Sequence, residues 1–207
     1  MDRLEFIINN LFKENFMVNI QDKVCLEETE TAGKTVLNVK IASVDNYCIE
    51  HADDNSMTQI AFFRPEKKFS MNKRVDHIIF EKKNDNNWNI HLIEMKTTVG
   101  EQTWRDEKGK FRASLLLSEA IASMLGMRVK EIKMYTTYEK VDLGHDIHSP
   151  TSRRGRTGEK MVRPEDEWNG NDFAIDLGER IKFQHIPIKV NRMDDVLYGD
   201  VNISKLK

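Results

Sequence analysis

Asp76, Glu94 and Lys96 have the side-chain types and the spacing for chemistry on a phosphate. All three fall in the stretch Arg74 to Thr98, RVDHIIFEKKNDNNWNIHLIEMKTT. Two apolar runs flank Asn84-Asp85-Asn86-Asn87, a turn-forming cluster that predicts a β-hairpin. Side chains alternate faces along a strand, so Asp76, Ile78 and Phe80 share one face, and Ile90, Leu92, Glu94 and Lys96 share one face. Folding about Asp85 sets Phe80 opposite Ile90, Ile78 opposite Leu92 and Asp76 opposite Glu94. A slip of one residue would turn the apolar set away from the core, so the register is constrained. The result is two carboxylates facing each other at the end of a core-facing row, with Lys96 one pleat further on. They repel, and a divalent cation between them would relieve the repulsion. Mg²⁺ or Mn²⁺ suits such a pair, because hard cations of this size take one or two carboxylates and complete their shell with water and phosphate oxygens. A lysine beside the ion can orient a water and steady charge developing on phosphorus.

Val75-Asp76, a hairpin, and Glu94-Met95-Lys96 together resemble the PD-(D/E)XK nuclease superfamily, with Val75 where the motif has proline. Glu-x-Lys also occurs at Glu66, Glu81 and Glu131, but only the Glu94 copy ends an apolar strand paired with an Asp-bearing one. The resemblance spans roughly Arg74 to Asp142. It implies an α+β domain with a restriction-endonuclease-like core, a mixed central sheet flanked by helices. It also implies metal-dependent hydrolysis of nucleic-acid phosphodiesters, DNA ahead of RNA. Asp76 and Glu94 would hold Mg²⁺ or Mn²⁺ with the Met95 backbone carbonyl as a further ligand, and Lys96 would position the water. Members of the superfamily often act as homodimers and often draw another acidic residue from an early helix, where Glu5 and Glu14 are the candidates here.

Asp2 to Phe16 reads as a helix, with Asp2 and Glu5 as a capping-box variant and Leu4, Ile7, Ile8, Leu11 and Phe12 as its apolar stripe. Asn19 to Glu28 and Thr35 to Glu50 suggest a strand pair. Glu50 opens an acidic turn and is a candidate additional metal ligand. Ile60 to Phe63 reads as a short buried segment, and Lys73 and Arg74 lie where they could meet a phosphate backbone. Val99 to Lys110 reads as a charged loop in which Trp104 either covers a core edge or stacks on a base. A helix over Phe111 to Leu125, stopped by Gly126, leads to a strand over Glu131 to Val141 that should run parallel to the Glu94 strand. Phe173 to Leu177 and Ile181 to Val190 read as closing strands, the latter an edge strand because of Pro187.

A chain of 207 residues is expected to form a single domain. Gly144 to Asn171 breaks the pattern and reads as a flexible basic insertion within it, where Arg153, Arg154 and Arg156 suit phosphates. No apolar run approaches membrane-spanning length, the first residues do not read as a signal peptide, and Cys25 and Cys48 fit free thiols, so a cytoplasmic protein is expected. The net charge of −2 neither favours nor excludes nucleic acid, since phosphate contacts need only a local basic face. Phosphate-cradling loops, dinucleotide glycine fingerprints and nucleophile elbows are absent from the sequence. Two other readings stay open: a non-catalytic module that binds nucleic acid or protein on a nuclease-like scaffold, and a purely structural hairpin with Glu94 and Lys96 paired at its rim.

Overall fold

The computed structural model describes residues 2–30, 33–54, 71–84, 86–143, 162–170 and 172–205. The expectations for Ile60 to Phe63 and for Arg153, Arg154 and Arg156 lie outside the described residues.

The hairpin forms in the expected register. Strand β5 (His77–Lys82) runs antiparallel to β6 (Asn87–Glu94), with Phe80 opposite Ile90 and Ile78 opposite Leu92. They are the centre of a six-stranded mixed sheet in the order β1-β4-β5-β6-β8-β12. Strands β1 (Val18–Ile20) and β4 (Asn46–Ile49) extend it antiparallel on one side. On the other side β8 (Arg128–Tyr138) lies parallel to β6, and β12 (Gln184–Lys189) lies parallel to β8. Pro187 is accommodated because β12 is the edge strand.

The residues of β5 and β6 are almost all buried, because both faces of the sheet are covered. On one face Ile78, Phe80, Ile90 and Leu92 pack against helix α2 (Glu101–Leu125) through Trp104, Phe111, Leu115 and Ile121. Helix α1 (Arg3–Asn10) adds Leu4, Ile7 and Ile8 to that core while burying none of its residues completely. Asp2 caps α1, accepting the Glu5 N–H at 2.8 Å, but the helix stops at Asn10, short of the expected Phe16.

The opposite face corrects the expectation of a central sheet flanked by helices. A second, four-stranded sheet, ordered β13-β14-β3-β2, covers it. Strands β2 (Lys23–Glu30) and β3 (Gly33–Lys40) pair as a hairpin, but the strand expected over Thr35 to Glu50 is split, its second part being β4 of the first sheet; β14 (Val196–Asn202) adds parallel to β3, with β13 (Asn191–Met193) outside it. Leu26, Leu37 and Val39 pack onto Cys48, Ile79, Ile93 and Tyr135. The same odd-numbered face buries Glu81, whose carboxylate accepts from Lys83 Nζ (2.7 Å), His91 Nε2 (3.1 Å) and Ser204 Oγ (2.5 Å). The domain is therefore α+β, layered helix, sheet, sheet.

Two further expectations change. Val99 to Lys110 is not a loop: α2 begins at Glu101, and Trp104 is a core residue packed against Trp168, Phe173 and His185. Part of the expected insertion is ordered, since Pro164–Trp168 forms a one-turn helix, α3, anchored by buried Trp168. Beyond it β10 (Ala174–Asp176) and β11 (Arg180–Lys182) form a small hairpin turned by Gly178. Among the described residues no helix is long and apolar enough to cross a membrane.

Candidate active site

Asp76 stands one residue before β5 and Met95 one residue after β6, and a hydrogen bond joins them. The Met95 N–H donates to Asp76 Oδ2 at 2.6 Å, which fixes the carboxylate against the end of β6. With Ile78 opposite Leu92, the next same-face pair along the hairpin is Asp76 and Glu94, both essentially buried at 3% and 0% exposure.

The strands separate just past Glu94. Strand β6 pairs with β8 as far as Glu94 and Thr136, and pairing resumes with the parallel strands β7 (Thr98–Gly100) and β9 (Lys140–Asp142). In the gap the Thr137 hydroxyl replaces the ladder, accepting the Lys96 N–H at 2.9 Å and donating to the Lys96 carbonyl at 3.2 Å. Lys96 is thereby turned back toward the carboxylates, with Nζ 3.3 Å from Glu94 Oε1 and donating to the Met95 carbonyl at 3.1 Å. It also pairs with Glu30, which the second sheet delivers from the end of β2.

Helix α2 closes the site. The buried Ser114 hydroxyl accepts the Val75 N–H at 2.9 Å, docking the helix on the residue before Asp76. One turn earlier on the same stripe, Lys110 places Nζ 2.5 Å from Glu94 Oε1 and 3.9 Å from Asp76 Oδ1. Another turn earlier lies Glu107, only 1% exposed, with neither carboxyl oxygen hydrogen-bonded among the described residues. Glu94 Oε2 is likewise buried without a partner among the described residues.

The electrostatics follow from burying these charges together. Burial pushes the Asp76 carboxyl well above the ordinary range and Glu94 adds to the shift, while Lys110, Lys96 and the Met95 N–H oppose it. Burial likewise raises Glu94 against Lys110 and Lys96. For both lysines burial pulls downward, yet their carboxylate neighbours outweigh it and each ammonium is held above its ordinary pKa. Glu107 is pushed up to about 9, by burial first and then by Glu94. Lys96, Lys110 and Asp76 also act on it, so Glu107 feels every charge of the strand motif. Among the described residues, Asp76, Glu94, Glu107 and Glu30 thus face two ammonium groups, so that a fully ionised cluster of these residues would be short of positive charge.

Sequence reasoning placed Asp76, Glu94 and Lys96, and the structure brings these three together. Lys110, Glu107 and Glu30 were missed. The i, i+3, i+7 spacing of Glu107, Lys110 and Ser114 was the available signal, hidden because the helix was expected to start at Phe111. The structure does not bring Glu50 to the group: it is exposed in the turn after β4, and strand alternation from Ile49 sets it away from the Asp76 face. Lys73 is exposed beside the site segment. The expectation for Arg74 is revised, because its guanidinium is 1% exposed and donates to the backbone carbonyls of Ala52 (2.8 Å) and Met71 (2.7 Å). It anchors the chain leading into Asp76, and a group so enclosed has no surface for a phosphate.

The donor set suits a hard divalent cation, with two carboxylates, an orphaned Glu94 oxygen and the Met95 carbonyl nearby. Among the described residues no group of three or more His, Cys, Asp or Glu side chains is arranged to hold a metal ion. Comparison of the chain with known protein families, with curated proteins and with solved structures gives no match.

Proposed function

We propose that the protein is a metal-dependent nuclease of the PD-(D/E)XK type, with a restriction-endonuclease-like core, that hydrolyses nucleic-acid phosphodiesters, DNA ahead of RNA. The observation that carries this reading is the convergence of Asp76, Glu94 and Lys96 at one end of the β5–β6 hairpin, with a buried Glu94 oxygen left unpartnered among the described residues. Folding alone gains nothing from that arrangement, since an unpaired buried polar group costs about 1–3 kcal/mol. Asp76, Glu94 and the Met95 carbonyl are the residues that would hold Mg²⁺ or Mn²⁺. The ion would supply Lewis acidity and a more acidic bound water. Asp76 is held in place by the Met95 N–H, and Glu94 presents its free oxygen. The Lys96 ammonium lies close enough to orient a water or balance charge on a phosphate oxygen.

One observation favours a second reading. Lys110 Nζ lies against both carboxylates, where a cation would be needed. A site neutralised by its own lysine fits a non-catalytic module that binds nucleic acid or protein. Cleavage of plasmid, linear and single-stranded substrates with Mg²⁺, Mn²⁺ or EDTA separates the two. Metal-dependent cleavage by wild type that is lost in Asp76→Asn supports the nuclease. Metal binding without cleavage of any substrate supports the module.

A further inference from the structure

The inward row of β2 does not stay apolar. Burial alternates along the strand, so Val24, Leu26, Glu28 and Glu30 face the first sheet while Lys23, Cys25, Glu27 and Thr29 face solvent. Val24 and Leu26 join the core between the two sheets. The next two inward positions are carboxylates, and each meets a basic group: Glu28 lies 3.8 Å from His51 Nδ1, and Glu30 pairs with Lys96 Nζ. An ion pair with access to water adds only about 0–1 kcal/mol, so stability gives Glu30 little reason to be there.

Lys96 is held at both ends. The Thr137 hydroxyl fixes its backbone, accepting the N–H at 2.9 Å and donating to the carbonyl at 3.2 Å. That clip does not direct the ammonium, which rides on a flexible four-carbon stem. Among the described residues Nζ meets three oxygen groups: Glu94 Oε1 at 3.3 Å, the Met95 carbonyl at 3.1 Å, and Glu30. Glu94 Oε1 is the weaker anchor, because Lys110 Nζ lies closer to it at 2.5 Å. Glu30 is the nearest of the three to Nζ. Its own position is set by the hairpin end. Gly33, opposite Glu30, has φ +129°, and a Cβ there would lie 3.1 Å from the Asp195 carbonyl, which seats this end on the chain entering β14.

We propose that Glu30 is a positioning residue of this site, a carboxylate from the second sheet that holds the Lys96 ammonium in place and draws it off the Asp76–Glu94 pair. The inference rests on the nuclease reading and adds how the lysine of that site is aimed. Glu30 acts through Lys96 and not on the substrate. Without it, Lys96 would have Glu94 as its nearest carboxylate and would swing toward the space between Asp76 and Glu94. A displacement of about 1 Å in a reacting group can cost about a hundredfold in rate.

The test is steady-state cleavage of plasmid DNA with Mn²⁺ by the full-length wild type, Glu30→Ala and Glu30→Gln, with thermal unfolding of each. The expected result is a kcat lower by about tenfold or more in Glu30→Ala with KM for DNA unchanged. Glu30→Gln should fall between the two, because its amide oxygen still accepts from the ammonium; it also keeps the side-chain size, which covers the case of a poorly folded Ala variant. Wild-type kcat in both variants, with only a lower Tm, would make the pair structural and overturn the inference. Unchanged kcat with a raised KM would make Glu30 a substrate contact and overturn it as well. Both results leave the nuclease reading standing. Absence of cleavage by wild type overturns that reading and this inference with it.

Discussion

Replacing Lys110 with methionine removes the ammonium while keeping most of the apolar stem. In the wild-type chain Nζ lies 2.5 Å from Glu94 Oε1 and 3.9 Å from Asp76 Oδ1, and both carboxylates are buried. A charge pair at about 4 Å is worth roughly 4 kcal/mol at an effective dielectric near 20, and breaking a buried pair from one side costs about 3–5 kcal/mol. The Lys110 side chain is 22% exposed, so the lower end applies, a loss of about 3 kcal/mol. For a chain of this size that corresponds to a Tm lower by about 6–12 °C. The pH dependence has a definite sign. Asp76 and Glu94 have folded pKa values above their ordinary 3.8 and 4.5. A carboxyl raised in this way contributes stability that is full below its unfolded pKa and is lost as pH rises through its folded value. Removing Lys110 raises the folded values further, so the deficit should be smaller at pH 4 than at pH 8. Guanidinium unfolding in EDTA at the two pH values measures it. A loss below about 1 kcal/mol at pH 8, or an equal loss at both pH values, would refute the charge-balance argument.

On the other face of the sheet, Glu81 is held down to about 2: burial raises it, but hydrogen bonds from His91, Lys83 and Ser204 prevail. Glu81→Gln should therefore cost on the order of 2–3 kcal/mol at pH 7, with the wild-type advantage vanishing as pH falls from about 4.5 to about 2, followed by denaturation across that window. A cost that persists at pH 2 would show that packing rather than charge holds the network. Gly199 on β14 has no room for a side chain, since a Cβ would lie 2.8 Å from Val190 Cγ1 and 3.1 Å from Leu37 Cδ1. Gly199→Ala should lose about 1–3 kcal/mol in urea unfolding, and a neutral result would contradict the close packing around Gly199 where β14 pairs with β3.

The hairpin was legible because three local signals agreed: turn residues at Asn84 to Asn87, an apolar run on either side of them, and a register that only even slips preserve. Asp76, Glu94 and Lys96 followed directly from it. The extent of α2 was not legible, because Glu101 to Lys110 is dense in charge and a stripe as thin as Trp104, Glu107 and Phe111 does not announce a buried face. Tertiary contacts decide it: Trp104 packs on Trp168 and His185, and Lys110 finds its carboxylates from across the fold. The second sheet was hidden for a different reason. Its strand β14 pairs with β3 across more than 150 residues, and no local pattern near Val196 shows which element will cover Ile79 and Ile93. Glu30 belongs to the same class, since only the stacking of that sheet brings it to Lys96.

The central claim is that Asp76, Glu94 and Lys96 form a hydrolytic site, and plasmid cleavage with Mn²⁺ by wild type, Asp76→Asn and Lys96→Ala tests it most directly. The account predicts nicking or linearisation by wild type that EDTA abolishes, and no cleavage by either variant while both remain folded. Metal-dependent cleavage at the wild-type rate in Asp76→Asn or Lys96→Ala would contradict it.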